Sequence, residues 1–410
     1  MKRNLLSFAL LLFCFVSNGQ TWEALNDSPY SGHHAINFSI DGVGYSVTGN
    51  IVSSIINPFG SPSKQFYSYD PDLDEWTQLA DYPGSNRGYG IGDVWEGKAY
   101  IGFGLNGNDT PLRDLWSYDP ATDTWTELAS CPCTPRFHPA FVALNGKIFM
   151  GMGGSDNGNL NDWWEYDIAA DTWQQRPSFP SLVRHHPYQF AIGDYVYTGL
   201  GHGNGPGLNI YQDWYRYDPA NNQWTQVASI PAEGRVAGTQ FSHNGKGYVL
   251  SGDGDDHSYM DTGEFWEYDP VADTWTELPP HPGTSRWAPS SFIIDDYVYF
   301  MTGLSQSLVE DAYVWRYLME STPTSTTDLD EQALRIFPNP SSDVITIALE
   351  NANATIQGIS IFNLKGQLLQ MYPATYNNLT TINIQDLPIG IYQLKVNLED
   401  EVLVQKIVRQ

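Results

Sequence analysis

The chain has 410 residues, with 47 acidic against 20 basic side chains and a formal net charge of −27. That balance argues against nucleic acid and anionic lipid as partners, because their phosphates repel it. Only 16% of residues are charged and 14% are aromatic, which excludes a disordered chain and a long coiled coil.

Lys2 and Arg3 precede an apolar run from Leu5 to Val16. A bilayer span needs about 20 apolar residues, so this run is too short to cross one. A charged start, a short apolar stretch and the small residues Ser17 and Gly19 describe a secretory signal over residues 1–19, cut before Gln20. No later segment reads as transmembrane, and the expected product is exported. Cys14 leaves with the signal. Cys131 and Cys133, in "ASCPCTPR", lack the second pair that a zinc site of this type requires. They read as loop thiols or as a local crosslink. No metal and no cofactor is assigned from the sequence.

The next 300 residues repeat. "YDPDLDEW", "YDPATDTW", "YDIAADTW", "YDPANNQW" and "YDPVADTW" end at Trp76, Trp125, Trp173, Trp224 and Trp275, spaced by 49, 48, 51 and 51 residues. An aromatic residue followed four later by Gly keeps the same beat, from Tyr45/Gly49 to Tyr299/Gly303. Each unit reads as four short strands. In the third, "HPAFVALN" is the apolar innermost strand, "GKIFMGMGG" and the alternating "DWWEYD" follow, and a strand containing Trp173 closes the unit. The Asp of each "YD" is expected to shape the following turn, and the Tyr and Trp to pack between units.

The phase of the repeat predicts how the ring closes. The chain enters on a last strand, Trp22 to Leu25, and the sixth unit stops after its third strand near Glu320. Supplying the missing strand from Trp22–Leu25 closes the ring and removes exposed sheet edges. The six units resemble the kelch repeat, in which two consecutive glycines usually follow the second strand. Here the first of the two is Thr48, Phe103, Met152, Leu200, Ser251 or Thr302. The resemblance implies an all-β protein with a six-bladed kelch β-propeller over residues 20–320.

Residues 321–333, beginning "STPTSTTDLD", read as a linker. The last segment, 334–410, alternates strands and turns as a small β-sandwich, Ig-like in class, does. Pro338, Asn339, Pro340, Asp343, Gly366, Leu387, Gly390 and Tyr392 make it resemble the C-terminal sorting domain of type IX secretion cargo from Bacteroidota. The resemblance implies export across the outer membrane by the type IX machinery, a partner of this tail, with the passenger released or held at the surface.

Five units carry an arginine just before the innermost strand: Arg87, Arg136, Arg184, Arg235 and Arg286. The first unit has Gly32 there, followed by His33 and His34; His138, His185, His186 and Trp287 lie beside the arginines of other units. One reading is an anion-binding mouth for an acidic glycan or a protein ligand, because guanidinium binds carboxylate bidentately and aromatic faces stack on sugars. The other is that each arginine braces a blade through an acid. "GDGDDHSYMDTGE" holds Asp253, Asp255, His257, Asp261 and Glu264 at spacings reminiscent of a calcium loop. Ser258 stands where that loop needs Gly, and Glu264 shares its repeat position with Asp114, Asp162 and Asp213. Common hydrolase and phosphate-loop motifs are absent. Sialic acid mutarotases are exported kelch propellers that use a carboxylate and an arginine, for which Glu233 and Arg235 are the candidates here. The sequence leaves three readings: a glycan- or protein-binding module, a sugar-modifying enzyme, and a structural surface protein.

Overall fold

The structure is a computed structural model. It describes residues 22–52, 57, 59–204, 209–306, 312–319, 334–349, 356–363, 368–372, 377–398 and 402–410. The signal segment, the 321–333 linker and Gly366 lie outside them. The chain divides into two compact units, Met1–Ser321 and Thr322–Gln410.

The first unit is built from four-stranded antiparallel sheets, one per repeat. In the third repeat the strands are Ala140–Leu144, Lys147–Gly151, Trp163–Asp167 and Thr172–Arg176. The inner strand is wholly buried, and the outermost alternates between exposed and half-buried positions, as a rim strand should. The innermost strands of successive sheets touch in order: Ile36–Ile40, Ile91–Trp95, Ala140–Leu144, Tyr188–Ile192, Thr239–His243, Ser290–Ile294, and back to Ile36–Ile40. We number the blades one to six in that order. In blade six, Ser290–Ile294, Tyr297–Met301 and Val314–Leu318 are completed by Glu23–Ala24, with Glu23 opposite Arg316 and Ala24 opposite Trp315.

The apolar core lies in layers between neighbouring sheets. Tyr45, Val47 and Phe66 of blade one pack against Tyr82, Ala99, Ile101 and Tyr118 next door. The repeat residues explain themselves in this setting. Tyr69, Tyr118, Tyr166 and Tyr268 donate their hydroxyls to the Asp five residues on, and Tyr217 to Asn222. Asp70 and Asp269 each accept two amides of the following turn. Trp173, Trp224 and Trp275 donate their indole N–H to backbone carbonyls of the preceding blade, Ala129, Pro177 and Ala228. Trp22 does the same to Pro279, which makes it the Trp of blade six.

The positions where the kelch pattern usually has its first glycine keep a left-handed backbone. Thr48, Phe103, Met152, Leu200, Ser251 and Thr302 have φ between 55° and 61°. The Gly after each is also left-handed, and its amide donates to the chain of the next blade. The six bonds are Gly49 to Arg87, Gly104 to Arg136, Gly153 to Arg184, Gly201 to Arg235, Gly252 to Arg286, and Gly303 to Gly32, at 2.8–3.1 Å. At Gly303 a Cβ would lie 2.9 Å from the Pro289 backbone, so no side chain fits there.

The second unit holds two sheets around one core. Leu334–Phe337, Val344–Leu349 and Leu379–Asn383 form a three-stranded sheet. Leu368–Tyr372, Gly358–Phe362, Gly390–Asn397 and Val402–Arg409 form a four-stranded one. Ile345, Ile347, Ile359, Ile361, Leu394 and Ile407 fill the space between them. Asn339, between Pro338 and Pro340, accepts the Val408 amide at 2.8 Å and donates to the Lys406 carbonyl at 2.9 Å, clamping the final strand. Tyr392, two residues after Gly390, donates to the Pro388 carbonyl at 2.5 Å.

Candidate functional site

The arginines do not form a ligand-binding mouth. Arg87, Arg136, Arg184 and Arg235 are fully buried, and Arg286 is 5% exposed. Arg87 pairs with Asp114, Arg136 with Asp162, Arg184 with Asp213 and Arg235 with Glu264, at 2.5–2.6 Å. Arg87, Arg136, Arg184 and Arg286 also donate to the carbonyls of Phe103, Met152, Leu200 and Thr302, the left-handed residues of their own blades. Each of these arginines therefore ties the entry of its blade's inner strand to the exit of the second strand. The acids respond: Arg136, Arg184 and Arg235 outweigh burial and hold the Asp162, Asp213 and Glu264 carboxyls below their usual range. Two other expectations change with this. Arg235 belongs to Glu264 while the exposed Glu233 accepts the Asp255 amide, so the two do not act as a pair. Glu264, engaged by Arg235 and Trp266, is not free to hold calcium with Asp253. Cys131 and Cys133 are joined in a buried disulfide.

The axis is lined instead by the residue two places after each arginine position. His34, Tyr89, His138, His186, Ala237 and Ala288 are equivalent, and all have φ between 48° and 60°. Their backbones link neighbouring blades: His34 N–H to Ala288, His138 to Tyr89, and His186 to His138 at 3.1 Å, and Ala288 to Ala237 at 2.6 Å. This belt brings three imidazoles from blades one, three and four together. The rings of His138 and His186 stack at 3.2 Å, and His34 lies 4.7 Å and 5.1 Å from them. Trp287 and Tyr89 close on His34 edge-on at 4.6 Å and 4.4 Å. His33 packs on Trp287, and His185 continues the row to His202 and His257. Seven of the nine histidines thus form one chain of ring contacts. Burial first, and neighbouring imidazoles second, hold the pKa values of His34, His138 and His186 well below the usual histidine value. Burial lowers His33 to about 4 and His185 to about 3. These five imidazoles are neutral at pH 7.

Below the belt runs a cavity of about 420 Å³, lined by the inner strands. Its wall carries Asn37, Asp93, Gln189 and Gln240. Asn37 Oδ1 and Gln189 Oε1 are buried without a hydrogen-bond partner. Asp93 accepts the Val94 and Ala143 amides at 2.7 Å and 2.8 Å. Burial outweighs those bonds and pushes its carboxyl up to about 6. The sequence offered no motif for Asp93, which stands alone in its strand. Its position in the third place of an innermost strand, where the other blades carry Phe38, Val142, Phe190, Phe241 and Phe292, is the signal that could have found it.

Comparison with known proteins agrees with this architecture. Residues 99–314 match the family model of the attractin/LZTR1 β-propeller, and residues 335–410 match that of the secretion system C-terminal sorting domain. A kelch-like protein, terF, from Aspergillus terreus is 33% identical over 93 residues, 22% of this chain and 20% of its own. Ulvan lyase NLR42 from Nonlabens ulvanivorans is 26% identical over 134 residues, 32% of this chain and 24% of its own. The matches therefore span about a fifth to a quarter of those curated relatives. A solved structure titled "Structure of YjhT" superposes with a TM-score of 0.59 at 16% identity, over 74% of this chain and 99% of that one, and shares the fold. With more than half of its length matching that propeller model and its end matching the sorting domain, the chain belongs to the attractin/LZTR1 β-propeller family and carries a tail for type IX secretion to the cell surface or beyond.

Proposed function

We propose that this secreted propeller is a carbohydrate-binding module, and that the end of a glycan enters its axial channel. The observation that carries the reading is the polar wall of the channel, where Asn37, Gln189 and Gln240 bring amide groups beside Asp93. Side-chain amides both donate and accept, which suits a ligand rich in hydroxyls, and the cavity of about 420 Å³ suits one or two sugar rings. The name of one relative, an ulvan lyase, points the same way. A glycan array probed with the mature protein and with Gln189→Leu tests it. Selective binding by the wild type that the substitution abolishes supports the reading; binding only to proteins would replace it with a protein-recognition role.

A second reading, sugar-modifying chemistry in the same channel, rests on Asp93. A carboxyl near 6 can both take and return a proton close to neutral pH. Turnover of a bound sugar that is lost in Asp93→Asn, with binding retained, distinguishes enzyme from binder.

A further inference from the structure

The belt histidines have a property that a channel lining does not require. His34, His138 and His186 each offer a ring nitrogen, and the three nitrogens lie within 4.8 Å of one another. Three donors around one ion at 2.0–2.1 Å sit about 3.4 Å apart in a tetrahedral site, a spacing the set reaches when the stacked rings of His138 and His186 swing apart. His138 is 8% exposed, and neither of its nitrogens has a hydrogen-bond partner. Nδ1 of His186 has none either. Buried imidazole nitrogens facing each other without a partner are costly, and the fold holds them there from three separate blades.

The hydrogen bonds behind His34 fix its tautomer. The Phe59 carbonyl lies 2.8 Å from His33 Nε2. A carbonyl only accepts, so His33 Nε2 carries the hydrogen and His33 Nδ1 bears a lone pair. His33 Nδ1 is 2.5 Å from His34 Nδ1, so His34 Nδ1 is the donor there. That leaves the lone pair on His34 Nε2, which lies 2.9 Å from His186 Nε2 inside the cluster. A ligand imidazole backed by an acceptor on its other nitrogen is the usual arrangement at a metal.

We propose that His34, His138 and His186 form a three-imidazole site for a divalent transition-metal ion, zinc above all, at the end of the axial channel. Nitrogen-only donors select such ions over calcium or magnesium, which take oxygen. Three protein ligands leave a fourth position for water or a ligand oxygen, the pattern of zinc sites that do chemistry rather than hold a fold. The site does not depend on a glycan occupying the channel.

The test uses the mature chain without a polyhistidine tag, stripped with chelator and dialysed against zinc alone. One tightly held zinc per chain is expected, with X-ray absorption showing three imidazole nitrogens at about 2.0–2.1 Å. His138→Gln should bind no zinc at this site, and His33→Ala should weaken binding roughly 10–100-fold by freeing the His34 tautomer. His243→Gln, outside the cluster and hydrogen-bonded to Asp296, should bind as the wild type does. Wild-type protein that retains no zinc, or zinc held only by oxygen ligands, overturns the proposal, as does a folded His138→Gln that binds equally well. The wild-type stoichiometry and spectrum decide the matter even if a ligand variant fails to fold.

Discussion

The amide of Gly303 donates to the carbonyl of Gly32 at 2.8 Å, joining blade six to blade one by the same bond that links every other pair of neighbouring blades. The closure is reinforced at the rim, where Arg316 pairs with Glu23 at 2.7 Å and Trp22 packs on Phe265, Phe300 and Tyr317. Trp22→Ala removes both a ring and the hydrogen bond to Pro279. It should cost roughly 3 kcal/mol in a urea melt. No change in stability would mean that the entering strand is dispensable.

The arginines are braces, so their loss should appear in stability first. Arg136→Met leaves Asp162 half-enclosed without its partner, and about 3–5 kcal/mol of stability should go. The double variant Arg136→Met/Asp162→Leu should recover most of the loss, because no charge then remains unpaired. Chemical denaturation of the two variants checks the order; equal losses would contradict it.

How far the sequence carried this architecture depends on the residue. The Gly beat was legible because it marks a bond repeated in every blade, the Trp beat because four blades repeat its indole bond to the blade before, and Trp22 was legible as the strand missing from blade six. The role of the arginines was written less openly. Each of four has an acid 26 to 29 residues later, and blade one, which has Gly32 for the arginine, has Gln65 in the acid's place. That joint absence is the mark of an internal pair. The imidazole cluster could not be read from spacing, because His34, His138 and His186 come from three blades and meet only through a left-handed belt that Tyr89, Ala237 and Ala288 share.

Thr302 illustrates a local cost carried by the fold. It is a β-branched residue at φ 55°, fully buried, with an unpartnered hydroxyl. The left-handed backbone costs roughly 1–2 kcal/mol and the hydroxyl about as much. Thr302→Gly relieves both while freeing the unfolded chain by up to about 1 kcal/mol, so a net gain of about 1 kcal/mol is expected. Leu200→Gly, at the equivalent place, removes a buried apolar side chain and should destabilise. Thermal melts of both variants test the contrast.

The buried histidines set the acid limit of the fold. In the unfolded chain they take up protons as pH falls through about 6.5. In the native protein His33 stays neutral to about 4 and His185 to about 3. Between those values the unfolded state binds more protons, so each histidine makes stability fall by about 1.4 kcal/mol per pH unit as the medium is acidified. Urea midpoints should be flat from pH 8 to 7 and drop steadily from pH 6.5 to 4.5. A flat profile to pH 4.5 would contradict neutral burial of the cluster.

The channel as the ligand site is the claim most exposed to a single experiment. Calorimetric titration of the best glycan from an array into wild-type protein and into Asn37→Leu and Gln189→Leu measures it directly. Saturable one-site binding is expected, weakened at least tenfold by each substitution, about 1.4 kcal/mol or more for each lost amide. Unchanged affinity in both variants would place the ligand elsewhere on the propeller and contradict the account.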